Sequence, residues 1–449
     1  MCDARLNRKT SRRNQCTIFR ASCFCNASRP TTALSTLFKR IVRLSQHQSL
    51  RAAVIYGIGG VGFSLGTLLL ARYLSPSDFG VLALLIAMTQ IGMGLGPAGV
   101  DLLVNRHHPP IDLRLALRVL TTSLVTSAMV TAVAGTVYGV APSLLPTAFV
   151  LFAAAGVSRV GSAHFQSARR FGMSLFLLQI HNLILLLTVP IALAFYSVEV
   201  SFILGIIAAG KVATAILGWT MARRQLAPAG PRLTRSTLWR EGLSGVGIGI
   251  AMMFMAQTER YVIPLFLSYE DMALFSVLAA VVIAPFRMMQ GAVAFTLLPR
   301  LRSASDKAAA KTIVRQESLL LAGAGIAASA AVTLLGPWVV SVFAGDRYQI
   351  TGGLMTAAVL IGWIRLAQSV SVATVNALGS SGSLRLLNRF SWLSLAIALL
   401  GSWLLSHYGL VGIIAGVGLG WLMQTAAATI IASRMFTTPI NGSPWNRLN

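Results

Sequence analysis

The chain is 449 residues long, 55% hydrophobic and 11% charged, and its 37 Lys and Arg against 12 Asp and Glu leave a net charge of +25. A soluble domain carries about 25% charged residues, so this composition, with a mean hydropathy of +0.72, excludes a soluble globular protein. The apolar stretches run for about 20 residues or more without alternation, which selects spanning helices over a membrane barrel.

Residues 1–33 are basic and hold all four cysteines, Cys2, Cys16, Cys23 and Cys25. They lack a continuous apolar run, so they do not form a secretory signal peptide. Three readings stay open: a disordered cytoplasmic tail, sequence upstream of the true start, or an Arg-rich, acid-poor transit peptide. No cysteine spacing makes a complete zinc site, and neither metal nor cofactor is expected. Residues 34–51 differ. Leu34, Leu37, Phe38, Ile41 and Leu44 recur at helical spacing with Lys39, Arg40 and Arg43 between them, as in an amphipathic helix lying on a membrane surface.

Twelve spans are expected, near 52–71, 79–104, 117–140, 144–166, 173–196, 200–222, 242–266, 272–299, 317–343, 352–378, 386–407 and 409–433. In span 1, Gly57, Gly59 and Gly62 have the spacing of a dinucleotide-binding loop, but without a preceding strand they read as helix packing. Thirty of the 37 basic residues fall in the tails, one set of connections and the span ends beside them. The opposite connections hold only Arg72 and Arg347, and five cations lie inside spans. The positive-inside rule then puts both termini in the cytoplasm, and the +25 needs no nucleic acid partner. The outer connections, such as Ala141-Pro142-Ser143 and Ser197-Val198-Glu199, are short. They leave no outer domain for a glycosyltransferase or polymerase, so an enzyme is not expected. Residues 223–241, with Pro228, Gly230 and Pro231, read as a cytoplasmic linker between a bundle at 52–222 and a second at 242–435, with 436–449 a cytoplasmic tail.

The halves repeat. Leu74-Ser75-Pro76-Ser77-Asp78-Phe79 precedes span 2, and Leu267-Ser268-Tyr269-Glu270-Asp271-Met272 precedes span 8. Their Ser and Asp residues are expected to cap helices. Gly156-Val157-Ser158-Arg159 in span 4 matches Gly362-Trp363-Ile364-Arg365 in span 10. The offset grows from 193 to 206 between these pairs, so the second half gained residues, expected around 300–316. Six spans per half make the repeats parallel.

The run Leu68-Leu69-Leu70-Ala71-Arg72-Tyr73-Leu74-Ser75-Pro76-Ser77-Asp78-Phe79-Gly80 resembles the opening signature of the Wzx-type polysaccharide flippases. These belong to the multidrug/oligosaccharidyl-lipid/polysaccharide exporter superfamily. Gly96-Pro97-Ala98-Gly99-Val100 with Asn105-Arg106, and Asn376-Ala377-Leu378-Gly379, are similar to that family as well. The resemblance covers roughly residues 50–435. It implies an all-α membrane protein whose two pseudo-symmetric six-helix bundles form a V around a central cavity, open alternately to each side. It implies an undecaprenyl-pyrophosphate-linked oligosaccharide as cargo, flipped across the bacterial inner membrane for capsule, O-antigen or exopolysaccharide synthesis. A polysaccharide polymerase or export machinery would be its protein partner.

The cations inside spans are Arg159, Lys211, Arg260, Arg287 and Arg365. One charge at mid-bilayer costs roughly 2.5–3.5 kcal/mol even on lenient scales, so these five must face a polar interior. A cavity with surplus positive charge suits an anion, and arginine presents a planar set of donors to phosphate oxygens. Arg159 and Arg365 are expected to face each other across the pseudo-axis, with Lys211 and Arg287 extending the surface. The competing reading has the arginines pairing with Glu259 or capping carbonyls, and Arg260, next to Glu259, suits it best. Glu259, Asp101, His164 and His181 are the candidates for ion coupling; a satisfied interior polar group is the plainer reading of either histidine. Gln179 and Asn182 suit sugar hydroxyls or helix contacts. A drug antiporter of the same superfamily is the alternative function, and intramembrane acids rather than cations would mark it.

Overall fold

The computed structural model describes residues 48–107, 109–168, 170–195, 198–224 and 235–437. The expected tail 1–33, residues 34–47 of the expected interfacial helix, linker residues 225–234 and the tail from 438 lie outside them. Among the described residues the chain is helical, without strands. The first half comprises α1 (Gln48–Tyr73), α2 (Pro76–Leu95), α3 (Val100–His107), α4 (Leu113–Thr136), α5 (Leu145–Ser167), α6 (Phe171–Ala194) and α7 (Val200–Arg224). The second comprises α8 (Arg235–Phe266), α9 (Tyr269–Leu278), α10 (Ala284–Arg302), α11 (Lys307–Ala344), α12 (Gly352–Leu378), α13 (Ser381–Leu405) and α14 (Gly409–Thr437). Ten stretches among the described residues are apolar and long enough to cross a bilayer. The 57-residue stretch Ser381–Thr437 holds both α13 and α14, and the 32-residue α8 supplies the twelfth pass.

Local chemistry sets the helix ends. Ser75 accepts from the Asp78 backbone N–H and donates its hydroxyl to that carboxylate, with Pro76 in the first turn. Ser268 and Asp271 close a full capping box. The serines are thus the caps and the aspartates reach back to them, which occupies both acids in starting α2 and α9. Asp112, Asp306, Thr351 and Ser380 cap α4, α11, α12 and α13 in the same way.

Several boundaries differ from expectation. The span expected at 79–104 breaks into α2 and α3, because Ala98 (φ +46) and Gly99 (φ +77) turn the backbone left-handed after Pro97. The left-handed region costs Ala98 about 1–2 kcal/mol, and Gly99 adopts it freely. Helix α8 starts at Arg235, inside the expected linker 223–241, and α1 starts at Gln48, taking the last four residues of the expected helix 34–51. The longer second half is explained by α11, which runs 38 residues against 24 in its counterpart α4. Between α9 and α10 the turn at Ala279–Ile283 widens to π geometry, and the Ala284 N–H bonds back to the Ala279 carbonyl. Pro285 follows at once; lacking an N–H and crowding the preceding turn, it accounts for the widening.

The repeat is visible in the packing. Helix α1 pairs with α6 as α8 pairs with α13, and α5 pairs with α7 as α12 pairs with α14. The span 1 glycines let α1 lie close on α6: a side chain at Gly62 would meet Leu183 and the Asn182 carbonyl. The halves meet through one core that includes Leu82, Leu84 and Leu85 of α2 with Phe275 and Leu278 of α9. Hydrogen bonds reinforce that meeting at the end where α1 turns into α2. Tyr138 donates to the Tyr261 carbonyl (3.0 Å), Tyr261 to that of Ala87 (3.1 Å), and Tyr269 to that of Tyr138. Tyr348 donates to Ala71 (3.3 Å), and Arg72 to Val342 (2.6 Å). All five cross from one half to the other.

Candidate functional site

Gly-x-x-Arg works as a unit because the glycine brings its helix close and the arginine, one turn on, points into the space beyond. Gly156 on α5 packs against Gly92, Gly96 and Ser123, and Gly362 on α12 packs under the Phe286 ring. Arg159 then reaches Asp101 in the first turn of α3, Nε to Oδ2 at 3.3 Å, with its side chain 35% exposed. Arg365 is 2% exposed and pairs through Nη2 with Oε1 of the fully buried Glu259 on α8. Its guanidinium carbon lies 4.6 Å from the Trp421 ring centroid, a cation–π contact strengthened by desolvation. Each repeat arginine therefore has a carboxylate partner from its own half, one pair half open and the other closed.

Glu259 turns to Arg365, 106 residues away, rather than to its neighbour Arg260. Arg260, 4% exposed, lies over Phe63 of α1 at 5.6 Å and bonds Gln257 at 3.4 Å. Arg287 on α10 donates to the Ala256 carbonyl at 3.3 Å and forms no ion pair among the described residues. Arg260, Arg287 and Arg365 thus gather around the single carboxylate of Glu259, each within electrostatic reach of the others. The cluster carries two surplus positive charges.

Of these groups Arg287 and Arg365 border a cavity of about 410 Å³, whose lining also includes Tyr56, Gln290, Gln368, Asn376 and Trp421. Gln290 donates to the Arg365 carbonyl at 2.8 Å, fixing α10 to α12. Tyr56 belongs to the first half, lies against Gly291 of the second, and feels the charges of both Arg159 and Arg287. Arg159 is not among the residues that line this cavity, so the two repeat arginines do not face each other across it. The amides and the two aromatic rings can hydrogen-bond and stack on a polar cargo, and Arg287 can meet an anion.

Lys211 on α7 is 2% exposed and lies elsewhere, in a cavity of about 30 Å³ with His181 and Asn182. Asn182 is bonded to Gln179 at 2.6 Å, so that amide pair joins neighbouring turns of α6. His164 packs edge-on against Phe165 near the end of α5. A charge-led reading missed Tyr56, Gln290, Gln368 and Trp421 as cavity residues. The signal was present on α12, where Arg365, Gln368, Val372 and Asn376 share one face by their spacing of three and four.

The sequence profile of the family described as polysaccharide biosynthesis protein matches residues 69–351. No protein of curated function matches the sequence. Among solved structures, the inward-facing conformation of a multidrug resistance MATE family transporter of the MOP superfamily aligns with a TM-score of 0.60 and 14% identity, over 87% of this chain and 98% of that one. An outward-facing MATE family transporter of the same superfamily gives 0.52 and 16%, over 88% and 98%. A MOP superfamily transporter from Pyrococcus furiosus Vc1 (DSM3638), described as having a binding pocket of reverse polarity, gives 0.52 and 15%, over 87% and 95%. At these identities the likeness is one of fold.

Proposed function

This chain belongs to the polysaccharide biosynthesis protein family, and from that premise we propose that it is an alternating-access flippase for an anionic, lipid-linked oligosaccharide. The observation that carries the reading is the surplus of two positive charges beside an amide-lined cavity. A diphosphate diester carries two negative charges, and a glycan presents hydroxyls. Arg287 supplies charge-assisted donors for the first; Gln290, Gln368 and Asn376 supply partners for the second, and Trp421 an apolar face for a sugar ring. Because Arg365 already satisfies Glu259, the phosphate contact falls to Arg287 on α10 and Arg159 at the half-open pair.

The basic residues flanking the spans support placing both termini in the cytoplasm of an inner membrane. The hydrogen-bonded end is then the outer one, and cargo enters from the cytoplasmic leaflet. The higher TM-score against an inward-facing transporter supports this conformation. Undecaprenyl pyrophosphate is the carrier we assign, with a polysaccharide polymerase downstream, and no bond is made or broken in the transport step. A second reading, drug antiport, draws on the shared fold with MATE transporters. It requires a cavity that attracts cations, and the charge of this one is opposite.

The test is Arg287→Gln. It should abolish surface polysaccharide at unchanged protein level, whereas Arg287→Lys keeps the charge and should retain part of it. Normal polymer in Arg287→Gln would overturn the assignment.

A further inference from the structure

Lys211 is 2% exposed and forms no ion pair among the described residues. The acid of its bundle that reaches membrane depth, Asp101, is taken by Arg159. An uncompensated buried ammonium costs several kcal/mol. The cavity that it lines with Phe63, Thr89, Gln90, His181 and Asn182 measures about 30 Å³, room for roughly one or two water molecules. A phosphate group or a sugar does not fit. Oδ1 of the 8% exposed Asn182 has no protein partner, whereas the His181 ring is within hydrogen-bonding reach of the Leu178 carbonyl on its own helix. Reversing the Asn182 and Gln179 amides together keeps their mutual bond and leaves an Asn182 N–H to donate. Two nitrogen donors, on Lys211 and Asn182, are then available around a space the size of one small ion.

We propose that this cavity binds a monatomic anion of halide size, chloride in the cell. The ion neutralises Lys211, accepts from the amide N–H of Asn182, and ties α6 to α7. A carboxylate partner would have made Lys211 a permanent structural pair; an exchangeable ion makes the packing of this bundle responsive to anion supply. The site is separate from the cavity at Arg287 and holds or fails independently of the cargo.

The full-length protein in nanodiscs of zwitterionic lipid is unfolded by heat in sodium chloride and in sodium gluconate of equal ionic strength. The wild type should gain a saturable rise in Tm with chloride. Lys211→Met should lose it or raise the half-saturating concentration at least tenfold. No chloride-dependent rise in the wild type, or the same rise in Lys211→Met, overturns the proposal. Should Lys211→Met fail to fold, wild-type crystals grown in bromide decide: an anomalous peak beside Lys211 upholds the site, and its absence there overturns it.

Discussion

The two repeat arginines sit in the same motif yet differ in energetic role, because their partners differ in burial. Glu259 and Arg365 are both removed from solvent. Breaking such a pair from one side strands a charge and costs about 3–5 kcal/mol, whereas replacing both partners with apolar residues can be neutral or better. Glu259→Met and Arg365→Met should each lower Tm strongly, and the double variant should recover most of the loss. Equal losses in all three variants would show that the ion pair is not the unit. Asp101→Asn should cost far less, about 1 kcal/mol or below, since the Arg159 side chain is 35% exposed. The sequence exposed all four of these charges through their rarity in apolar spans. It raised a pairing of an arginine with Glu259 but favoured the wrong one, because Glu259 adjoins Arg260 in the chain while its guanidinium partner, Arg365, lies on another helix.

At the scale of helices, hydropathy located the passes and Ser-x-x-Asp located two of their starts. The departures have local causes: a Gly-Pro-Ala-Gly run that breaks the second pass and a proline behind the π turn. Both were readable as residues, but hydropathy averages over a window and passes across a four-residue break. Close helix approach is another feature a window cannot see. A side chain at Gly156 would stand 2.5 Å from the Ser123 hydroxyl and 3.0 Å from the Gly92 carbonyl, whereas one at Gly205 on α7 meets nothing within 4 Å. Gly156→Ala should therefore destabilise by about 1–3 kcal/mol. Gly205→Ala should be neutral or stabilise by about 0.5–1 kcal/mol through helix propensity. Thermal unfolding of the two variants side by side checks this; equal Tm values would show that α5 and α2 are not packed through glycine.

Across the whole molecule, a charged site is useful for transport only if the halves can part at the end where they now meet. The tyrosines that join them were not legible beforehand, since Tyr138, Tyr261, Tyr269 and Tyr348 stand in separate segments and each reads as an ordinary interfacial aromatic. Tyr138 lies in the connection after α4, and burial, then the neighbouring Tyr269 phenol, push its own phenol up to about 12. Its bond to Tyr261 is therefore intact below the ordinary tyrosine value of 10.0 and lost only as pH climbs through about 12, so the closed end should hold unchanged across the physiological range. Titration of this phenol therefore does not open it. Each phenol hydrogen bond contributes about 1 kcal/mol, and Tyr261 and Tyr269 supply two of the five crossing bonds. Removing both hydroxyls in Tyr261→Phe/Tyr269→Phe should shift the balance by about 2 kcal/mol, roughly thirtyfold in population, toward a state parted at this end. Spin labels at Ser143 of the first half and Glu270 of the second, both exposed, report the separation. A second, longer distance should appear or grow in the double variant and stay absent in Tyr408→Phe, whose phenyl ring sits on the exposed α13–α14 turn. An unchanged distance distribution would mean that the apolar contacts of α2 with α9 hold the end shut on their own.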